Sequence, residues 1–303
     1  MAEEAEAREN AVKRVIAEVI PEGMTILDFM RSAPSGDYFA HVQMMRFFQI
    51  ASSDLDFLKK MSEEMQKKME ASGYQFDNGA ITEELGRRDG ARRMGRLNEI
   101  MSEAFRTNRS LLTGDTFDEC LGQYKRLLDH VEKTWSGACG LFLNGNHPLA
   151  AFTAILVIEE VGKLSRLKDD LMHYDSAIER PNGEPVMRDH RKKHFIGVMA
   201  GAVINSRLDR ILGKGVIRKI LNQAENNELE RIRQNCLYID IVNGKTVSPH
   251  DVVDVDMART LCILAGELMA ETLGFFPWEF ERMIAEVSKF EIDVGIPEEK
   301  VKR

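Results

Sequence analysis

The chain has 303 residues, 44% of them hydrophobic and 30% charged, which is enough to bury a core and too apolar for disorder from end to end. A net charge of −8 excludes a surface coated for non-specific nucleic-acid binding, so any RNA contact has to be local. Eight prolines, 22 glycines and 7% aromatics punctuate the chain too sparsely for a sandwich or barrel; with the long periodic runs between them they predict an all-α fold.

The first third, residues 1–112, reads as a helical N-terminal region. Ala2 to Val19 is rich in helix formers and stops at Pro21, a loop follows around Pro34, and apolar residues recur at helical spacing from Tyr38 to Ala71. After a turn over residues 72–79, Glu83 to Leu112 reads as a helix strained at Gly90 and Gly95. Within it, the span from Arg87 to Arg109 holds seven arginines against three acidic residues. Arg87, Arg88, Arg92, Arg93 and Arg96 are therefore candidates for a phosphate-facing strip, with a solvated face of Glu–Arg pairs as the plainer expectation.

Residues 115–275 read as a helical bundle. Asp115 and Thr116 offer an N-cap to a helix reaching Leu143, where Asn144-Gly145-Asn146 stops it. His147-Pro148 opens a second helix to about His173, residues 179–185 form a loop, and Arg188 to Leu208 reads as a third helix. Ile217 to Cys236 is a charged amphipathic helix, residues 242–247 are a turn or short hairpin, and Ser248 to Asp251 begin a helix ending near Gly274. Residues 276–303 are then a terminal helix opened by Pro277, with a loose tail from Glu291. Cys120, Cys139, Cys236 and Cys262 are far apart in the chain and read as core thiols. The longest apolar run, Leu149 to Ile158, is too short for a membrane span, and the acidic N-terminus is unlike a secretory signal, so a cytoplasmic protein without a membrane partner is expected.

Some charges fall where a core belongs. At 100° per residue, Lys163 lies about 40° from Glu159 and between Phe152 and Leu156, Glu159 itself lies between Ile155 and Phe152, and Glu160 borders the same face. An exposed i,i+4 pair contributes about 0.3–0.5 kcal/mol, too little to account for burial, so Glu159 and Lys163 are expected to be buried and paired with each other or with the helix that follows. That helix carries His190, Lys193 and His194 above Gly197 and Gly201, with Arg188 and Asp189 just before. The group reads either as an internal ion cluster that fixes packing or as a site. Histidine titrates near neutral pH and can take a proton from a 2′-hydroxyl or give one to a 5′-oxygen, while Arg or Lys stabilises the phosphorane; no cofactor is needed. The His-x-x-x-His pair with Glu159 and Glu160 also suits zinc or iron across two helices. It lacks the Glu of His-Glu-x-x-His, however, and Arg191, Lys192 and Lys193 would repel a dication, so no metal is expected.

Four segments, in this order and spacing, carry a family resemblance: Leu156-Val-Ile-Glu159-Glu160-Val-Gly162-Lys163, His190-Arg-Lys-Lys193, Arg233-Gln-Asn-Cys-Leu-Tyr238-Ile-Asp240, and Ser248-Pro249. The set, spanning Phe117 to Leu273, resembles the AbiV family of bacterial phage-defence (abortive infection) proteins, which belongs with the HEPN helical domains. The resemblance implies a HEPN-like bundle, usually a homodimer, that acts on RNA or the ribosome when infection is sensed, with a phage-encoded protein as a possible activator. Many HEPN ribonucleases carry an Arg, a polar residue directly after it, and a His four to six residues beyond. Arg188-Asp189 with His194 fits that pattern, although on a regular helix the two side chains diverge; His190 and Lys193 fit the AbiV pattern better. Arg188, His190, Lys193, His194, Glu159, Glu160 and Lys163 are thus the candidate catalytic residues of a metal-independent endoribonuclease. The alternative is a non-catalytic protein that blocks translation or senses a phage protein, with the cluster structural.

Overall fold

The computed structural model describes residues 90–172, 183–202, 206–273 and 277–301. The expected elements between Ala2 and Gly79, together with Arg87 and Arg88, lie outside them. Apart from Met172, the described residues belong to one compact unit. Helices dominate it, as the sparse Pro and Gly require, and the strands form two small two-stranded sheets.

Helix α1 (Gly90–Thr107) runs through Gly95 as regular helix, without the strain expected there, and ends in strand β1 (Asn108–Arg109) rather than continuing to Leu112. Helix α2 (Phe117–Leu143) opens with a capping box: the Thr116 hydroxyl accepts from the Glu119 amide, and the Glu119 carboxylate accepts from the Thr116 amide. Gly145 at φ 78 turns the chain into helix α3 (His147–Met172). Strand β2 (Glu184–Pro185) pairs in parallel with β1, and the Met187 amide donates to the Asn108 side chain at 3.0 Å.

The third helix differs from expectation at both ends. Helix α4 spans His190–Ala202, and a separate helix α5 (Ser206–Leu212) follows. Its start is set by Asp189, whose carboxylate accepts from the Arg191 amide at 2.9 Å and whose carbonyl accepts from Lys193, leaving Arg188 off the helix. The expected Ile217–Cys236 helix is likewise two, α6 (Lys214–Glu225) and α7 (Glu228–Asn235), because Asn227 adopts the left-handed conformation between them. Asn243 and Gly244, both at positive φ, close a hairpin of β3 (Asp240–Val242) and β4 (Lys245–Val247). The Ser248 cap starts only a single turn, α8 (Pro249–Val252). Val253 is extended, Asp254 recaps the chain by accepting from the Met257 amide, and α9 (Val255–Leu273) begins there.

Helix α9 is buried along most of its length and packs on α2, α4 and α10 (Pro277–Asp293). Trp135 of α2 lies on Gly266, donates its indole N–H to the Cys262 carbonyl at 3.0 Å, and meets Phe290 edge-on. All four cysteines are buried and free, and burial pushes the Cys236 thiol up to about 11 and the Cys262 thiol to about 12, so both stay protonated and inert.

The tail expected to be loose from Glu291 onward is anchored to the core at Glu291 and Val301, while most residues between them are exposed. Glu291 and Glu267 are fully buried around the Arg207 guanidinium, which also donates to Ser288 and to the Val301 carbonyl of the short helix α11 (Glu298–Val301). Burial raises the pKa of both carboxyls, and each feels the other's charge or hydrogen bond, so two acids facing one cation retain a proton between them. Because the folded state binds this proton more tightly than the unfolded chain, its contribution is complete below the ordinary glutamate range near 4.3 and declines as pH rises above it. Glu291→Gln should flatten that part of the pH dependence of Tm; an unchanged slope between pH 5 and 9 would count against the shared proton.

Helices α3 and α4 cross with their backbones in contact. A Cβ on Gly162 would lie 2.1 Å from the Lys193 carbonyl oxygen, and one on Gly197 would lie 2.2 Å from that of Ile158. Only glycine fits at either position, and Gly201 is similarly pressed against Leu268 and Thr272 of α9. Gly197 and Gly201 are thus engaged by helix packing within this chain. Gly197→Ala should lower stability by about 2 kcal/mol or more through overpacking. Gly137→Ala, exposed on α2 with open space at its Cβ, should be neutral or slightly stabilising. Equal melting temperatures for the two variants would refute the close crossing.

Candidate functional site

The crossing lays the first turns of α4 over Glu159. This carboxylate, buried as its position on the apolar face predicts, is the hub of a cluster. Its Oε2 accepts from His190 Nδ1 at 2.7 Å and from Lys193 Nζ at 3.1 Å, and its Oε1 accepts from His194 Nε2 at 3.0 Å. Since a carboxylate only accepts, each histidine must carry a proton on the nitrogen that faces it. Arg233 of α7 adds a fourth partner, its Nε 3.4 Å from Oε1, and is itself held by a bidentate pair with Glu230 at 2.8 and 2.9 Å.

Burial alone would raise the Glu159 pKa. The hydrogen bonds from His194 and His190 and the charges of His194 and Lys193 outweigh it and lower the value to about 2. Arg233 is held above its usual range, first by its hydrogen bond to Glu230, against burial, and then by the charges of Glu159 and Glu230.

The two histidines differ sharply in access. His194 is 1% exposed, and its Nδ1 has no hydrogen-bond partner among the described residues. The His190 side chain is 46% exposed, with Nδ1 on Glu159 and Nε2 the remaining ring nitrogen.

Not every candidate joins the cluster. Lys163, expected to pair with Glu159 or with the helix that follows, instead pairs with Glu160 at the border of the face, although its side chain is more than half buried as expected. Lys193 takes its place because the Gly162 crossing carries the start of α4 over Glu159. Arg188 lies in the connection before α4, where it pairs with Glu184 at 3.1 Å in solvent, so the Arg188/His194 pairing of the HEPN ribonuclease pattern is not formed within this chain. The arginine strip is not a free basic face either. Arg93 is buried against Asn222 and Glu225, and Arg92 and Arg96 share the same Glu225 carboxylate, with Arg96 also stacked over Phe195. This is close to the plainer expectation of Glu–Arg pairs, except that the Glu comes from α6.

Arg233 and Glu230 were missed as site residues. Their only sequence signal was Arg233 at the head of the third family segment, since nothing local ties α7 to Glu159. Glu159, His190 and Glu230 also present ligand atoms within 4.8 Å of one another. A dication there would have to displace Lys193 from one carboxylate and Arg233 from both, and the donor set therefore fits a metal poorly. Chemically, the arrangement offers one half-exposed histidine whose ring is oriented by a buried carboxylate, flanked by an ammonium and a guanidinium.

Removing the hub should leave buried Lys193 short of a counter-ion while Arg233 keeps Glu230, and Glu159→Ala should cost on the order of 3 kcal/mol. The depressed pKa gives a sharper check. The stabilisation by Glu159 is fully present above the unfolded value near 4.3 and is lost as pH falls toward about 2. The Tm difference between wild type and Glu159→Gln should therefore be largest above pH 5 and shrink as acid protonates the wild-type carboxylate; a pH-independent difference would contradict the cluster.

Among the described residues no helix is long and apolar enough to cross a membrane. A family model described as AbiV, of HEPN type, matches residues 119–270, half of the chain. No curated protein and no solved structure matches. All four segments that carried the resemblance lie inside the matched span, and three of them supply Glu159, His190 with Lys193, and Arg233 to the one cluster. The chain belongs to the AbiV family of abortive-infection proteins.

Proposed function

We propose that this protein is a phage-defence effector that stops translation in infected cells by cleaving RNA without a metal, with His190 as its proton carrier. The observation behind this reading is the bond between Glu159 and His190 Nδ1, which fixes the tautomer and leaves Nε2 at a half-exposed mouth. A buried carboxylate orienting one nitrogen of a histidine while the other works is the arrangement of a general base.

In the proposed reaction Nε2 of His190 takes the 2′-hydroxyl proton, the 2′-oxygen attacks phosphorus, and the P–O5′ bond breaks to leave a 2′,3′-cyclic phosphate. In this scheme Lys193 and Arg233 stabilise the charge on the phosphorane. The departing 5′-oxygen needs a proton from a second acid. Buried His194 is poorly placed to give it, and His190 of a second copy in a two-fold homodimer supplies it in this scheme. A phage-encoded protein as the trigger rests on the family resemblance.

A second reading keeps one observation in its favour: each of the four side chains around Glu159, His190, Lys193, His194 and Arg233, already has a partner in that carboxylate, as in a purely structural network. A protein of that kind would halt translation by occupying the ribosome.

Purified protein incubated with total RNA or ribosomes in EDTA separates the two. Cleavage leaving 2′,3′-cyclic ends is expected, reduced about 10²-fold or more in His190→Ala and changed only a few-fold in Arg188→Ala. Intact RNA with stable co-sedimentation on ribosomes would favour the binding protein, and full activity in His190→Ala would end the nuclease reading. Light scattering giving a 34.4 kDa particle would reject the dimer.

A further inference from the structure

Arg233 is held by two carboxylates, and they hold it differently. Glu159, buried, lies 3.4 Å from its Nε. Glu230 grips the edge of the guanidinium: Oε2 accepts from Nε at 2.9 Å and Oε1 from Nη2 at 2.8 Å, while Gln234 Nε2 donates to the same Oε1 at 2.8 Å. Acid–arginine pairs at i,i+3 are ordinary on helix surfaces, and Asp256–Arg259 and Glu228–Arg231 of this chain are such pairs in solvent. The Glu230 and Arg233 side chains, by contrast, are only 22% and 14% exposed. One Glu230 oxygen also lies within 4.8 Å of a His190 ring nitrogen and of a Glu159 oxygen. Two carboxylates at that separation repel each other, and the donors of Arg233 and Gln234 are what keep the second one there. The hydrogen bond from Arg233 outweighs burial and holds the Glu230 carboxyl below its ordinary range, so the group beside His190 is an anion.

An anion position next to the proton carrier is thus filled from within the chain. A guanidinium edge takes a carboxylate and a phosphate in the same two-bond geometry. A phosphodiester also carries the single negative charge of a carboxylate, so exchanging one for the other leaves the charge of the cluster unchanged. The two acids are not equally replaceable. Glu159 is buried and anchors His190, Lys193 and His194 as well as Arg233. Glu230 reaches solvent, and its hydrogen-bond partners among the described residues, Arg233 and Gln234, are both on its own helix. It can turn outward without unseating α7, whose buried residue is Leu229, and Arg233 then keeps Glu159 as its tether.

We infer that Glu230 is an internal stand-in for phosphate: it occupies the edge of Arg233 in the resting protein, and an RNA phosphate binds beside His190 by displacing it. The inference rests on the nuclease reading of the His190 cluster and adds a self-blocked resting state to it.

Fluorescence anisotropy with a 2′-O-methyl single-stranded oligonucleotide, which binds but lacks the attacking hydroxyl, reads the exchange apart from the chemistry. Glu230→Gln keeps the shape and removes the competing charge, and it should tighten binding by roughly tenfold, the gain expected if about one wild-type molecule in ten is open. Glu230→Ala, which empties the position, should gain at least as much, and both variants should melt near wild type. Glu228→Gln removes the same charge from the same helix without touching Arg233, and it should stay within about twofold of wild type because salt screens a distant surface charge. The gain should vanish when Glu230→Gln is combined with Arg233→Gln. On cleavable RNA in EDTA, kcat/KM of Glu230→Gln should rise with the affinity. If Glu230 only positions Arg233, both Glu230 variants bind and cleave more weakly than wild type, which overturns the inference. An equal gain in Glu228→Gln, a gain that survives Arg233→Gln, or no binding by any of these proteins overturns it too. Tighter, Arg233-dependent binding by Glu230 variants that leave unmodified RNA intact upholds the exchange and removes the nuclease reading.

Discussion

The contact between the backbones of α3 and α4 governs the rest of the structure. With Gly162 against the Lys193 carbonyl and Gly197 against that of Ile158, the two helices approach more closely than any side chain allows. Glu159 sits on α3 between Ile158 and Gly162, and His190, Lys193 and His194 lie on α4 in the turns leading to Gly197. A wider crossing, as a single Cβ would enforce, would pull the carboxylate away from three hydrogen bonds at once. The packing that removes Glu159 from water is therefore also what supplies its partners, and a buried charge persists only under that condition.

Once seated, α4 becomes the element that the neighbouring helices share. Helices α1, α6, α7 and α9 all pack on it, and each adds a polar or apolar constraint. From α7 comes Arg233, and α1 brings Arg96 over Phe195. The α6 carboxylate of Glu225 then gathers Arg92, Arg93 and Arg96. The result is an α4 whose first turn is both fixed from beneath by Glu159 and open to solvent on the His190 side. A rigid base beneath an accessible ring suits a site better than a mobile loop does.

Two buried ionic clusters have opposite composition, and their chemistry differs accordingly. Around Glu159 several hydrogen-bond donors, Lys193 and Arg233 among them, converge on one carboxylate, which stays ionised to about pH 2. Around Arg207 two carboxylates face one guanidinium, and a proton is retained. The first cluster has an exposed member and can meet a ligand. The second is closed on all sides and fastens α5, α9, α10 and α11 together, so that it serves the fold alone.

What the sequence determined by itself is mostly local. Helical period, the Thr116 cap, the Asn144-Gly145 stop and the Asn243-Gly244 turn each depend on a few adjacent residues, and the helices begin or end close to where those residues stand. The placement of Glu159 was legible for the same reason, since 100° per residue puts it among apolar neighbours. The four ordered segments likewise pointed to the AbiV family, with its HEPN-type helical fold. Tertiary structure decided everything that depends on which helix meets which. Lys193, distant in sequence, displaced the i,i+4 partner Lys163; Asp189 capped α4 and left Arg188 in solvent; Arg233 arrived from a helix with no local tie to the site; and Arg207 drew in a tail that composition alone marked as loose. Such pairings are set by the crossing of helices and by the need of each buried charge for a partner. A one-dimensional pattern shows which charges lie on an apolar face, but their partners exist only once the helices are packed.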